Sequence, residues 1–337
     1  MSEGADLIPV DVLTGFLGSG KTSLIRRLLE SGRLRDTAIL VNEFASLPLD
    51  QRLIALSGGN AAVVGNGCIC CAVDGSVRDA LLNLATSRAA GTIPAFSRVL
   101  VETSGIADPA GLVATLALDR MLKPRFRPGR VVTLVDLSQG AEAIADTEEA
   151  LSQIVCADLV LLTKADLASE GTAASLLPRI TAINPLARIL LDDGSLDPFD
   201  PDAFPVVPGA RGARTFSASP SQERHATIRS GVLRLPGPVD WSAFATWLSL
   251  LAHRHGGKLL RLKGTLTLAG EIGRGPVLVQ SVRHIVHRPE HLPPGSAPDD
   301  LELVVILRDL DPARLQRSLA AFLASTRTAP PAAMTTA

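Results

Sequence analysis

Residues 8–30 read IPVDVLTGFLGSGKTSLIRRLLE, and this stretch decides the fold of the amino-terminal half of the chain. Within it, Gly15–Thr22 fits the pattern G-x-x-x-x-G-K-[ST] of a phosphate-binding loop. The apolar run Ile8–Leu13 predicts a strand before the loop, and Lys21–Ser31 predicts a helix after it, which is the context that the motif requires. A glycine-rich turn without a ligand is the alternative, but the complete motif in this context favours phosphate binding.

The residue types in this loop suit a nucleotide. Glycines let backbone N–H groups turn inward onto phosphate oxygens, and the N-terminus of the following helix adds a favourable dipole. Lys21 would reach the β- and γ-phosphates, and the Thr22 hydroxyl would ligate Mg²⁺. We expect the nucleotide to contact Gly15, Gly18, Ser19, Gly20, Lys21, Thr22 and Ser23.

Short apolar runs alternate with helix-length amphipathic stretches from Leu7 to about Leu191. Near-continuous apolar strands separated by helices predict an α/β domain with a mostly parallel sheet. The predicted strands are Ile8–Leu13, Thr37–Val41, Val99–Glu102, Arg130–Val135, Leu159–Thr163 and Arg188–Leu191. The predicted helices are Lys21–Ser31, Ser76–Ala89, Pro109–Ala117, Thr147–Val155 and Thr172–Asn184.

A second, smaller domain of α+β type is expected after a Pro- and Gly-rich linker. We place the first domain at residues 1–192, the linker at 193–225, the second domain at 226–326 and a frayed tail at 327–337. In the second domain the pattern predicts strands at Thr227–Leu235, Lys258–Leu268, Pro276–His287 and Leu301–Leu307, and helices at Trp241–His255 and Pro312–Ser325.

Composition excludes several classes of protein. The 337 residues carry a net charge of -1, which argues against nucleic acid as the main partner. The longest apolar runs are far shorter than the roughly 18 residues of a spanning helix, so we expect no membrane partner. Residues 1–10 carry acidic residues and no basic region, so we expect no signal peptide and a cytoplasmic location.

The end of a further predicted strand also fits a nucleotide site. The strand Val99–Glu102 ends in an acidic residue, and Gly105 follows shortly after. P-loop enzymes place an acidic group there for Mg²⁺ or its water shell, and a Gly whose N–H meets the γ-phosphate. We therefore assign catalytic roles to Lys21, Thr22 and Glu102, while an ordinary turn after the strand is the alternative.

The run from Leu159 enters Thr163-Lys164-Ala-Asp166, which matches the guanine-reading motif of GTPases. An ionised Asp166 can accept two hydrogen bonds from guanine N1 and N2, which adenine cannot donate. The stem of Lys164 can lie along the base. The position of this motif at a strand end favours GTP over ATP.

Three of the four cysteines stand within four residues, at Cys68, Cys70 and Cys71. Neighbouring cysteines make strained disulfides, whereas thiolates bind zinc and related ions well. We interpret the segment as a metal site, with structural thiols or a redox pair as alternatives. Cys156, by contrast, is expected to be a small core residue.

Taken together, these motifs resemble the CobW family of P-loop GTPases and metallochaperones. The matching stretches are Leu13–Thr22, Val41–Phe44, Asn66–Cys71, Glu102–Pro109, Thr133–Asp136 and Thr163–Asp166, with Arg261–Gly264 resembling the family's C-terminal domain.

The resemblance implies binding of zinc, cobalt or nickel at Cys68–Cys71, with GTP and Mg²⁺ nearby. The resemblance also implies that hydrolysis drives metal transfer to a client protein. Glu43 falls in a segment similar to the family's first switch, so it is a further candidate metal ligand beside Thr22. Ala45 replaces a frequent Gly, and the His-rich tract of many members is absent.

The resulting hypothesis is a GTP-hydrolysing metallochaperone that carries zinc or cobalt to a client metalloprotein. One alternative is a GTP-dependent metal-sensing switch that transfers no metal, and another is a small-molecule kinase, against which the Thr163–Asp166 motif argues. The sequence leaves the physiological metal, the client and homo-oligomer formation open.

Overall fold

The computed structural model describes residues 7–41, 62–63, 77–200, 228–235, 237–270, 275–294 and 302–327. These residues form two compact units. The first contains the chain up to Thr181 and again from Ala187, and the second contains residues 182–186 and the chain from Ile228 onward. Each unit has its own sheet and its own hydrophobic core.

The first unit is built on seven strands. They are β1 (Ile8–Gly15), β2 (Thr37–Val41), β3 (Ala62–Val63), β4 (Arg98–Glu102), β5 (Phe126–Asp136), β6 (Leu159–Thr163) and β7 (Arg188–Leu191). The strand order is β3-β2-β4-β1-β5-β6-β7, and every neighbouring pair is parallel. The strand before the phosphate loop therefore lies in the middle of the sheet, and the predicted α/β fold is confirmed.

Helices cover both faces of this sheet, as a parallel sheet requires. They are α1 (Lys21–Glu30), α2 (Val77–Ala89), α3 (Pro109–Leu118), α4 (Gly140–Asp146), α5 (Glu148–Cys156) and α6 (Thr172–Ile183). Leu24 and Leu28 of α1 pack in a core cluster with Leu13. Leu81 of α2 packs with Val10 in a separate cluster. Residues of β1 thus serve two cores on opposite faces.

Three parts of the first unit differ from the sequence prediction. β5 begins at Phe126 rather than at Arg130, and β3 and α4 were not predicted. Helix α4 has only seven residues, too few to show a clear period. It begins at Gly140, where a Cβ atom would lie 2.7 Å from Cγ1 of Val135. A glycine therefore lets the chain turn back sharply against β5.

Residues 193–200, which the sequence assigns to the linker, pack against the first unit. Phe199 is 3% exposed and joins the core cluster that contains Leu13. Arg98 donates a hydrogen bond to the Phe199 carbonyl at 2.7 Å, and Arg130 donates one to the Pro198 carbonyl at 2.7 Å. This part of the predicted linker is therefore an ordered extension of the first unit.

The second unit holds six strands, β8 (Ile228–Arg234), β9 (Leu259–Leu266), β10 (Val277–Val282), β11 (Ile285–Val286), β12 (Glu290–His291) and β13 (Glu302–Arg308). They pair antiparallel in the order β11-β10-β9-β13-β8, with β12 beside β10. Helices α7 (Trp241–His255) and α8 (Pro312–Arg327) complete the predicted α+β domain.

One predicted strand of this unit is wrong. Pro276–His287 was expected to be continuous, but it is divided between β10 and β11 by a turn at Arg283, whose φ is 51°. Hydrophobic patterning does not reveal a non-glycine residue with a left-handed backbone conformation, so the turn at Arg283 was not predicted.

Among the described residues, no helix has the length and apolar character needed to cross a membrane.

Candidate nucleotide site

The phosphate loop follows β1 at the carboxyl edge of the parallel sheet. Gly18 and Gly20 have φ values of 73° and 95°, which favour glycine over residues with a Cβ atom. Gly20 is the N-cap of α1, so the helix begins at Lys21 as predicted. Helix α1 thus begins within the loop, where the backbone N–H groups of its first turn and the helix dipole favour binding of an anion.

The side chain of Lys21 is folded over the loop. Its Nζ atom donates hydrogen bonds to the carbonyls of Gly15 at 2.7 Å and Phe16 at 3.2 Å. The residue is 8% exposed. The ammonium group of Lys21 is therefore held against the loop, where it can offset the charge of a phosphate.

Thr22 and Glu102 come together from distant parts of the sequence. The Thr22 hydroxyl donates a hydrogen bond to Oε1 of Glu102 at 2.8 Å, and Glu102 is 3% exposed. The contact exists because β1 and β4 are parallel neighbours and both end at this edge. A hydroxyl and a carboxylate are hard oxygen ligands, which fit Mg²⁺.

The loop after β4 lies directly against the phosphate loop. The N–H of Thr103 donates to the Leu13 carbonyl at 2.9 Å. A Cβ atom on Gly105 would lie 2.6 Å from Cδ2 and 2.8 Å from the backbone N of Leu17. Gly105 is therefore required for this close approach. Asp108, three residues further along, caps α3 by accepting a hydrogen bond from the N–H of Ala110 at 3.0 Å.

The buried residue Gln153 on α5 was not singled out from the sequence. Its Nε2 atom donates hydrogen bonds to the carbonyls of Gly105 at 3.0 Å and Ala107 at 3.1 Å. The residue is 1% exposed. The sequence does contain a signal for this role, because Gln153 stands among the apolar positions of the helix Glu148–Cys156. A polar group buried in this way needs hydrogen-bond partners.

The predicted base-reading motif follows β6. The Thr163 hydroxyl, which is buried, donates to the Ser19 carbonyl at 2.9 Å. Asp166 lies in a short 3₁₀ helix, Ala165–Leu167, and is exposed. The motif is therefore fixed to the phosphate loop at one end and leaves the Asp166 carboxylate accessible to a ligand.

Lys164 has a partner that the sequence did not suggest. Its Nζ atom lies 2.8 Å from Oδ2 of Asp136 at the end of β5. The other carboxylate oxygen of Asp136 accepts hydrogen bonds from the backbone N and the Oγ of Ser138. Burial acts to raise the pKa of Asp136, but the bonds from Lys164 and Ser138 outweigh it and lower that pKa below its ordinary value.

A cavity of about 360 Å³ lies beside the phosphate loop. Its walls come from that loop, the end of β5, α4 and α5, and include Phe16, Leu17, Asp136, Gln139, Glu142 and Gln153. No lysine or arginine is among the described residues that line it. The cavity is therefore distinct in chemistry from the phosphate-binding surface beside Lys21.

The predicted metal ligands Glu43, Cys68, Cys70 and Cys71 lie outside the described residues. Within the ranges that the structure covers, no group of three or more His, Cys, Asp or Glu residues could hold a metal ion. Cys156 is buried, at 2% exposure, as predicted for a core residue.

Two family models match the sequence. The model described as "CobW/HypB/UreG, nucleotide-binding domain" matches residues 9–191. The model described as "Cobalamin synthesis protein cobW C-terminal domain" matches residues 228–323.

The sequence is similar to several characterised proteins. It is 34% identical over 285 residues to the zinc chaperone YjiA of Escherichia coli, covering 82% of this chain and 87% of that protein. It is 28% identical over 363 residues to the zinc chaperone CobW of Pseudomonas aeruginosa, covering 94% and 92%. A match to the zinc-regulated GTPase metalloprotein activator 1 of Schizosaccharomyces pombe has 34% identity and covers 59% of this chain and 50% of that protein.

The fold is similar to a solved structure, that of the Zn(II)-bound YjiA GTPase from E. coli. The TM-score is 0.71 at 29% identity, and the match covers 94% of this chain and 99% of that chain.

Proposed function

Because the chain belongs to the CobW/HypB/UreG family, we propose that it hydrolyses GTP and uses this reaction to deliver a metal ion, zinc or cobalt, to a client protein. The observation that carries the proposal is the meeting of the phosphate loop with two strand ends. Glu102 contacts Thr22 at one side of the loop, and Thr163 contacts Ser19 at the other.

The residues of the loop act on the phosphates. Lys21 and the N–H groups at the start of α1 hold the β- and γ-phosphates and stabilise the charge that develops as water attacks. Thr22 and Glu102 would hold Mg²⁺, which supplies further positive charge to the phosphates when bound. Gly105, placed against Leu17, offers its N–H to the γ-phosphate.

The base is read at the other end of the site. Asp166 accepts hydrogen bonds from guanine N1 and N2, and Thr163 keeps its loop in register with the phosphate loop. Selection of GTP over ATP then follows, because adenine offers no matching pair of donors.

Metal is the cargo of the reaction. We assign its binding to the thiolates of Cys68, Cys70 and Cys71, with Glu43 as an additional ligand. Thiolates suit zinc and cobalt, and a cytoplasmic location would keep them reduced. Loss of the γ-phosphate would release the segments that carry Glu43 and Cys68–Cys71 and so loosen the metal.

The test is a competition for Zn²⁺ and Co²⁺ with a chromophoric chelator, under reducing conditions, without nucleotide, with Mg-GDP and with Mg-GTPγS. We expect metal affinity to rise with GTPγS and not with GDP. Equal affinity in all three states would contradict the proposal, since linkage then forbids nucleotide-driven release.

A matched pair of variants assigns the ligands. Cys70→Ala should lower metal affinity about tenfold or more while GTP affinity stays unchanged, because losing even an outer-shell partner of a metal ligand costs about 10–100-fold in affinity. Cys156→Ala, which removes the buried core thiol, should leave metal affinity unchanged. Transfer of ⁶⁵Zn to a zinc-free metalloprotein separates a chaperone from a metal-sensing switch.

A further inference from the structure

Helix α5 makes side-chain hydrogen bonds to the loop that follows β4. Nε2 of Gln153 donates to two carbonyls of this loop, those of Gly105 at 3.0 Å and Ala107 at 3.1 Å. The preceding residue, Ser152, donates through its hydroxyl to Oδ1 of Asp108 at 2.7 Å. Consecutive residues of one helix therefore hold the loop on both sides of Ile106.

Gln153 is itself fixed to the sheet. The Thr133 hydroxyl, on β5, donates to the Gln153 backbone carbonyl at 2.8 Å, and both residues are 1% exposed. The helix starts at a capped end, where Oγ1 of Thr147 accepts the N–H of Ala150 at 3.3 Å. The position of the carboxamide is therefore set by β5, a direct neighbour of β1.

The chemistry of the side chain matches its surroundings. A carboxamide has two N–H donors on one nitrogen, and two carbonyl oxygens lie within hydrogen-bond distance of that nitrogen. Glutamate has nearly the same shape, but an ionised carboxylate offers no donor to these carbonyls. Leucine has neither donor. The contact thus requires glutamine rather than any residue of its size.

The loop that Gln153 holds lies directly against the phosphate loop. Gly105 is buried, and a Cβ atom there would lie 2.9 Å from the Cα of Leu17. Ile106, between the two bonded carbonyls, is 60% exposed. The Ile106 side chain packs little against the protein, so the hydrogen bonds that α5 makes on either side of Ile106 restrain this part of the loop.

We propose that Gln153 is a positioning residue that keeps Gly105 poised to meet the γ-phosphate, so that α5 makes the site distinguish a nucleoside triphosphate from a diphosphate. This inference rests on the proposed GTPase function. It adds a residue from outside the nucleotide motifs, which acts through the loop and touches no substrate atom.

The test compares Gln153→Leu and Gln153→Glu with the same two changes at Gln139. Gln139 is an exposed glutamine at the start of α4, and it lines the cavity beside the phosphate loop that Gln153 also lines. Affinities for Mg-GTPγS and Mg-GDP are measured by calorimetry, together with kcat and KM for GTP and the thermal midpoint of unfolding.

For both Gln153 variants we expect GTPγS affinity to fall about tenfold, which is the scale of two lost hydrogen bonds. GDP affinity should change less than about twofold on the same reasoning, since the proposed function assigns to Gly105 a contact with the γ-phosphate, which GDP lacks. The Gln139 variants should resemble the wild type. Leucine buries no charge, so that variant remains informative if the glutamate variant, which places a buried carboxylate opposite two carbonyl oxygens, fails to fold.

A merely structural role would weaken both nucleotides together or lower only the thermal midpoint, and either result would overturn the inference. Failure of the underlying function looks different. In that case the wild-type protein itself would bind GTPγS and GDP equally and release no phosphate.

Discussion

Thr163 and Ser19 are joined by a buried hydrogen bond of 2.9 Å, from the threonine hydroxyl to the serine carbonyl, although 144 positions separate them in the sequence. The bond links the end of β6 to the phosphate loop. The part of the site assigned to the base and the part assigned to the phosphates are therefore one connected structure.

Replacing Thr163 with valine should weaken both parts at once. Valine has the same shape but no hydroxyl, so the Ser19 carbonyl loses a buried partner, at a cost of about 1–3 kcal/mol in unfolding free energy. We expect weaker GTP binding as well. Urea unfolding and GTPγS titration measure the two effects, and Thr163→Ser, which keeps the hydroxyl, should restore both. A valine variant as tight-binding as wild type would contradict this coupling.

Gly105→Ala should push the loop after β4 away from the phosphate loop. The added Cβ atom would lie 2.6 Å from Cδ2 of Leu17, and overpacking of this kind costs about 1–3 kcal/mol. GTPγS binding and phosphate release should fall more than GDP binding.

The matched control is Gly111→Ala in α3, where no atom lies within 4 Å of the added carbon. Alanine favours a helix over glycine by about 0.5–1 kcal/mol, so this variant should be at least as stable as wild type. If the two alanine variants behaved alike, the close approach at Leu17 would be irrelevant to function.

Asp166→Asn should abolish the preference for guanine. The asparagine amide cannot accept hydrogen bonds from both N1 and N2, and an unpaired polar group at a specific site costs about 10²-fold or more in discrimination. Competition of GTP, ITP and ATP for the site measures the preference. Unchanged selection of GTP would show that another residue reads the base.

Asp136→Asn should alter how stability depends on pH. The folded-state pKa of Asp136 is lowered from 3.8 by its bonds to Lys164 and Ser138, despite burial. Its contribution to stability is therefore present above about pH 4 and is lost as the pH falls through the folded-state value.

The asparagine variant should thus be less stable than wild type near neutral pH, and the difference should shrink in acid. Urea unfolding of both proteins near neutral pH and in acid measures this difference in stability. Asp146→Asn, which changes an exposed carboxylate, should leave the difference between pH values as in wild type. A constant gap between Asp136→Asn and wild type would mean that the ion pair contributes nothing.

Strands and motifs of the first unit could be predicted from the sequence because their signals are local. Thr37–Val41, Leu159–Thr163 and Arg188–Leu191 have the predicted bounds, since each is a short apolar run between polar residues. The phosphate loop was equally clear, because its glycines, lysine and threonine stand in one stretch.

Contacts made through the tertiary fold could not be predicted. Gln153 is one polar residue in a helix, and nothing local shows that Gly105, 48 positions earlier, needs its donors. The pairing of Lys164 with Asp136 also depends on β5 and β6 being neighbours. Such partners are set by strand order, which periodicity does not give.

The central place of β1 also bears on how the protein is made. β1 is hydrogen-bonded to β4, with Val10 opposite Val99, and to β5, with Ile8 opposite Phe126. Both partners are encoded roughly a hundred residues later, and sheets with such distant pairings fold slowly. A chain emerging from the ribosome therefore cannot pair its apolar first strand on both sides until β5 has been synthesised, and its nucleotide pocket stays incomplete until Thr163 at the end of β6 has followed.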